Sequence, residues 1–147
     1  MIRRATEDDL PQLSAIDRQG NPSPWTAGQF RAVLDSPHDC VFLSCGGRGD
    51  AAAFIVWRTV LDESELHLIA TASKFRRQGR ASALLAFWLD AASASGVRRL
   101  LLEVRASNTA ARSLYRKHGF SDAGCRKAYY PLSDGSREDA VLMEKIC

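Results

Sequence analysis

Residues 76–92 read Arg76-Arg77-Gln78-Gly79-Arg80-Ala81-Ser82-Ala83-Leu84-Leu85-Ala86-Phe87-Trp88-Leu89-Asp90-Ala91-Ala92. From about Gly79 the apolar residues Ala81, Leu84, Leu85, Trp88, Leu89 and Ala92 recur at i, i+3, i+4, i+7, i+8 and i+11. That spacing draws one face of an α-helix. Gly96 stands where a left-handed residue closes a helix. The segments on either side read as strands. Glu65 to Ala70 precedes the helix, and Val97 to Arg105 follows it with a continuous Leu100-Leu101-Leu102. A run of that kind is expected in a strand covered on both faces. A strand–helix–strand unit is the heart of an α/β sheet.

Working outward, Ala53-Phe54-Ile55-Val56-Trp57 and Val41-Phe42-Leu43 flank the turn Gly46-Gly47-Arg48-Gly49-Asp50, which predicts a hairpin. Residues 2–5 read as a short first strand. Thr6 then caps a helix carrying Leu10, Leu13 and Ile16, broken by Gly20-Asn21-Pro22-Ser23-Pro24. Thr26 caps a second helix with Phe30, Val33 and Leu34, ended by Ser36-Pro37. Toward the C-terminus, Ser107 is a candidate cap for a helix reaching about His118 and stopped by Gly119. Two strands over 120–130 and 137–146 surround Ser133-Asp134-Gly135. The expected order is β-α-α-β-β-β-α-β-α-β-β, with no repeat or linker. It predicts an α/β fold in one domain over residues 1–147, a mixed central sheet flanked by helices on both faces.

The loop Arg76 to Ser82 is the first place where chemistry is expected. A helix N-terminus offers free N–H groups and a partial positive charge, and so attracts phosphate. Gly79 and Ala81 leave the backbone open to a ligand, and the arginines add charge. Neither the P-loop pattern nor the dinucleotide glycine pattern is present. A pyrophosphate held by another kind of loop fits, and so does an ordinary basic loop before a helix. Glu103 and Asn108 lie at the carboxyl end of the following strand, where α/β sheets bind ligands. Glu103 is a candidate general base; alternatively it pairs with Arg105, two residues on. Asn108 either touches a ligand or forms part of a helix cap. Tyr115 lies on the stripe Ala111, Leu114, Tyr115, His118, as a core residue or as a phenol placed to donate a proton. Of His38, His67 and His118, only His67 is placed to face a site, by alternation with Leu66 and Leu68.

Taken together these segments resemble the GCN5-related N-acetyltransferase (GNAT) superfamily. Its signature [Gln/Arg]-x-x-Gly-x-[Gly/Ala] is matched by Arg76-Arg77-Gln78-Gly79-Arg80-Ala81. The run Asn108…Ala111…Leu114-Tyr115…Gly119-Phe120 resembles a second block, N-x-x-A-x-x-L-Y-x-x-x-G-F. Within the superfamily the chain is most similar to the bacterial ribosomal-protein alanine N-acetyltransferases. Trp25-Thr26, Ile69-Ala70-Thr71, Leu102 to Asn108, Arg126-Lys127-Ala128-Tyr129-Tyr130-Pro131 and Glu138-Asp139-Ala140 carry that likeness. Thr71 stands where such proteins often have valine, and Ala128 where asparagine is common.

The resemblance implies acetyl-CoA as co-substrate and no metal. It implies that Ile69, Ala70 and Thr71 bind the acetyl and pantetheine end through backbone groups. Arg77, Gln78, Gly79, Arg80, Ala81 and Ser82 would cradle the pyrophosphate, and Asn108 would contact CoA. Glu103 would accept a proton, and Tyr115 would donate one to the leaving thiolate. Trp25 and Tyr130 are weaker candidates to line a peptide groove, and the acidic residues Asp134, Glu138 and Asp139 to hold a cationic N-terminus. The implied acceptor is a protein N-terminus, that of a ribosomal protein. Other readings are an enzyme for lysine or small amines, and a non-catalytic CoA-binding module.

Bulk composition narrows the classes further. The chain has 147 residues, 20 Lys and Arg against 17 Asp and Glu, and a formal charge of +3. So small an excess favours an anionic ligand without pointing to nucleic acid. The basic residues gather at one loop, and no base-stacking motif accompanies them. Cys40, Cys45, Cys125 and Cys147 lack the spacing of a zinc site and read as free thiols of a reducing compartment. No run approaches the ~20 apolar residues of a membrane span, and the N-terminus lacks the apolar segment of a secretory signal. The expectation is a cytoplasmic protein with no membrane or direct nucleic-acid contact. Its oligomeric state stays open.

Overall fold

The structure, a computed structural model, describes residues 1–147. Seven strands form one sheet: β1 (Ile2–Arg4), β2 (Asp39–Cys45), β3 (Ala51–Val60), β4 (Glu63–Thr71), β5 (Arg99–Arg105), β6 (Ser121–Pro131) and β7 (Arg137–Ile146). Their spatial order is β1-β2-β3-β4-β5-β7-β6. All neighbours are antiparallel except β4 and β5, which run parallel. Four α-helices complete the chain: α1 (Leu10–Gly20), α2 (Ala27–Asp35), α3 (Arg80–Ala94) and α4 (Thr109–Lys117). Element order and the mixed sheet match the sequence expectation.

Alternation along β3 shows why helices must cover both faces. Ala53, Ile55 and Trp57 join the core that holds Leu84, Leu85 and Trp88 of α3. Phe54 and Val56 point the other way, into the core holding Leu13 and Ile16 of α1 and Phe30 of α2. A strand buried on both faces reads as a continuous apolar run. The buried Trp88 indole N–H donates to Ser64 Oγ of β4 at 2.9 Å, so the larger core carries its polar atom satisfied. Thr26 caps α2 as expected: its Oγ1 accepts from the Gln29 N–H at 3.1 Å, and Gln29 Oε1 accepts from the Thr26 N–H at 2.8 Å.

Three expectations need correction. Strand β5 begins at Arg99, because the Val97 N–H still donates to the Ala92 carbonyl in the turn that closes α3. The cap of α4 is Asn108, whose Oδ1 accepts from the Ala111 N–H at 3.2 Å, and not Ser107. The Leu100–Leu102 run is not covered on both faces. Leu100 and Leu102 are buried under α3, whereas Leu101, Glu103 and Arg105 are half-buried on the opposite face. Helices α1 and α2 lie over β2 to β4.

One irregularity creates the site. Parallel pairing of β4 with β5 extends only from Glu63 opposite Arg99 to Leu66 opposite Leu102. Beyond that point β4 continues to Thr71 and β5 to Arg105, and the two no longer pair. On its other edge β4 stays bonded to β3 as far as Thr71 opposite Ala53. There Val56 faces Leu68 and Trp57 faces Leu66, which leaves His67 as the extra residue of a bulge. A bulge bends a strand and sharpens its twist, and this one sits where β4 parts from β5.

Candidate active site

The parted strands open a cleft of about 860 Å³. Its walls are the carboxyl ends of β4 and β5, the N-terminal regions of α3 and α4, and the segment following α1. Of the residues singled out from the sequence, Ile69, Ala70, Thr71, Arg77, Gly79, Arg80, Ala81, Ser82, Glu103, Asn108, Tyr115, Trp25 and Tyr130 all line it. Gln78 does not. Its side-chain oxygen instead accepts from Arg80 Nε at 3.2 Å. His67, Leu68, Arg76, Ala111 and Leu114 complete much of the wall.

The loop before α3 is shaped by left-handed backbone. Arg77 has φ +61° and Gly79, the N-cap of α3, has φ +74°. Glycine takes that conformation freely. The turn ends with the first N–H groups of α3 free of helical partners, as at any helix start, beside the cleft. Arg80 is bound inward. Its Nη1 donates to Ser44 Oγ at 2.9 Å and to the Cys45 carbonyl at 3.1 Å, and the guanidinium lies 4.9 Å from the Phe75 ring centroid. It therefore fastens the loop to the end of β2 while keeping its charge near the cleft. Arg76 Nε donates to the Thr71 carbonyl at 3.3 Å. Ser82 Oγ lies 2.8 Å from His118 Nε2, which ties α3 to the end of α4. Burial, reinforced by Lys145, lowers the His118 pKa, so this imidazole is neutral at neutral pH.

Glu103 and Tyr115 reach the cleft from opposite sides of the sheet. Side chains alternate along a strand. Leu102 and Val104 lie with Tyr115 in the core under α3 and α4, so Glu103 projects to the other face. Glu103 does not pair with Arg105. Its Oε1 meets Arg126 Nε of β6 at 3.1 Å, while Arg105 Nη1 pairs with Glu138 Oε1 at 3.2 Å. Arg105 also lies over the Tyr130 ring, 4.4 Å from its centroid. Tyr115 is almost wholly buried, and that burial, with a smaller contribution from Tyr130, pushes its pKa up to about 12. Tyr130 is raised too, first by burial and then by Glu103.

The acidic residues near the last turn are otherwise engaged. Glu138 accepts from the Ser107 N–H and from Arg105, which lower its pKa. Asp139 Oδ1 accepts from the Ala128 N–H at 2.8 Å, and Asp134 Oδ1 accepts from Ser136. All three carboxylates thus have hydrogen-bond partners within the chain. Trp25 is half-buried, packs 5.3 Å from Phe30, and donates its backbone N–H to Asp17 Oδ2 at 2.8 Å. The Arg126 contact with Glu103 escaped the sequence reading. A basic residue before a tyrosine pair was its only signal, and pairing across strands decides the rest.

Residues 10–120 match the family described as "Acetyltransferase (GNAT) family". The chain is 40% identical over 135 residues to the [ribosomal protein bS18]-alanine N-acetyltransferase of Escherichia coli K12, covering 92% of this chain and 89% of that one. The protein of the same name from Haemophilus ducreyi is 36% identical over 143 residues, covering 97% of each. The crystal structure of the ribosomal-protein-S18-alanine N-acetyltransferase from Escherichia coli superposes with a TM-score of 0.93 at 38% identity, covering 99% of this chain and 92% of that one. Sequence and backbone agree over nearly the whole length, and this chain belongs to the acetyltransferase (GNAT) family.

Proposed function

We propose that the cleft binds acetyl-CoA and passes its acetyl group to the α-amine of a protein N-terminus, the N-terminal alanine of ribosomal protein S18. The observation that carries the chemistry is the parting of β4 from β5, with Glu103 and Tyr115 lining one opening from opposite faces. The choice of acceptor rests on the relatives named above. The free N–H groups at the start of α3 suit a pyrophosphate. Gly79, Ala81 and Ser82 bring it close, with Arg77 beside it, and Arg80 adds its charge while fastening the loop. The unpaired edge of β4 at Ile69, Ala70 and Thr71 offers backbone groups to the pantetheine arm. One of those N–H groups polarises the thioester carbonyl and stabilises the oxyanion. Asn108 borders the same path.

The attacking amine must be neutral. At pH 7.4 roughly a quarter of an ordinary α-amine is neutral, against about a thousandth of a lysine amine. In a ternary complex the amine nitrogen forms its bond to the acetyl carbon. Glu103 takes the proton lost from that nitrogen, directly or through water, and the carbon–sulfur bond breaks. Tyr115 donates a hydrogen bond to the departing sulfur. A phenol raised to about 12 keeps its proton at neutral pH. Against a thiol near 8.5, full transfer from such a phenol runs uphill. The hydrogen bond to the forming thiolate is therefore its main contribution. The proton taken by Glu103 leaves through solvent and the thiolate takes one up, giving amide, free CoA thiol and the carboxylate restored. No acyl-enzyme is needed, and the four free cysteines take no part.

The test is acetylation of intact S18 protein with acetyl-CoA, mapped by tandem mass spectrometry. Acetyl on the alanine nitrogen alone supports the reading. Acetyl confined to lysine side chains would overturn it.

A further inference from the structure

We infer that Arg126 sets the preference for an α-amine over a lysine amine by keeping the acceptor side of the cleft electrically neutral. This rests on the reading of Glu103 as proton acceptor. A bare carboxylate attracts any ammonium, and lysine is almost entirely ammonium near neutral pH. Here the carboxylate is not bare. Arg126 Nε lies 3.1 Å from Glu103 Oε1, and the pair carries no net charge. A second ion pair lies beside it. Arg105 of β5 pairs with Glu138 of β7, each side chain only 14% exposed. From β6, the Tyr130 ring lies against Arg105 and the Tyr129 ring against Arg126.

A balanced site gains little from binding an ammonium and must first strip its proton. An acceptor already neutral in a sizeable fraction avoids that cost. Specificity is a difference of affinities, so weakening one competitor is as effective as strengthening the other. Arg126 suits such a role. Its side chain is 54% exposed on the edge strand, so little packing depends on it, while the Glu103 side chain is 20% exposed. The arginine meets Glu103 at Oε1. It acts through Glu103 and is a positioning residue.

The experiment compares two substitutions, Arg126→Gln and Arg126→Lys, on two peptides. One peptide has a free N-terminal alanine and no lysine; the other has a blocked N-terminus and one internal lysine. The readout is the ratio of kcat/KM for the lysine peptide to that for the alanine peptide at neutral pH. Removing the charge should raise this ratio about three- to fivefold, the upper part of the range for a half-exposed ion pair. Lysine at 126 keeps the charge and should hold the ratio within about twofold of the starting protein. If Arg126→Gln lowers both activities in step, or leaves lysine acetylation undetectable while alanine acetylation persists, the inference is wrong. It is equally wrong if Arg126→Lys shifts the ratio as far as glutamine does. Glu103→Gln separates the underlying reading. Full activity of that protein on the alanine peptide would remove the proton acceptor, whereas an unchanged ratio in Arg126→Gln removes only the selectivity argument.

Discussion

At the scale of single residues, Tyr115 and Ala128 show how position changes what a side chain does. Tyr115 sits on an amphipathic stripe and is buried like any core tyrosine, yet it also lines the cleft. Replacing it with phenylalanine keeps the ring and removes only the donor. The expected outcome is a fall in kcat on the order of a hundredfold, with the KM for acetyl-CoA little changed, read by steady-state kinetics. A loss below about threefold would mean that the hydroxyl does not reach the leaving sulfur. Ala128 has φ +51°, inside the bulge between Arg126 opposite Ala140 and Tyr130 opposite Glu138. The left-handed region costs an alanine about 1 kcal/mol and asparagine or glycine less. Ala128→Gly should therefore raise Tm by about 3 °C in a thermal melt.

At the scale of elements, the helices, the hairpins and their order were legible because each depends on local periodicity and on turn residues. The α3 stripe and Gly96 are one example; Thr26 with Gln29 is another. What remained hidden depends on strands meeting across the sheet. Residues 66–71 carry no sign that β4 leaves β5 after Leu66, because the parting is a matter of register with a strand beyond α3. The one-sided burial of Leu100 to Leu102 was misread for a similar reason: whether a second helix layer reaches β5 is a tertiary fact. Arg80 illustrates the same limit in the site, since its partners Ser44 and Cys45 lie on β2. The link between α3 and β4 gives a prediction of its own. Ser64→Ala leaves the Trp88 N–H buried without its acceptor and should cost about 2 kcal/mol. Denaturant titration would show the midpoint falling with the slope unchanged.

At the scale of the whole molecule, the first strand is held to the body by charge as well as by pairing with β2. Arg3 meets the buried Asp9 through two nitrogens, at 2.8 and 2.9 Å, and the Thr6 N–H donates to the same carboxylate at 2.8 Å. The Arg3 hydrogen bonds are the main reason that the Asp9 pKa is lowered. A carboxylate whose folded pKa is depressed stabilises the fold above its ordinary value near 4, and that stability is lost as pH falls through the folded pKa. Tm should therefore decline below about pH 4 in the starting protein. Asp9→Asn should be less stable at neutral pH, with a smaller decline on acidification. Parallel acid curves for the two proteins would show that the pair contributes nothing.

The central claim, a cleft at the parted strands that acetylates α-amines, is tested most directly with acetyl-CoA and two peptides followed by mass. One begins with a free alanine and lacks lysine; the other is blocked at its N-terminus and contains a lysine. Rapid acetylation of the first, with little of the second, is the expected result. Acetylation of the lysine peptide with the alanine peptide untouched would contradict it.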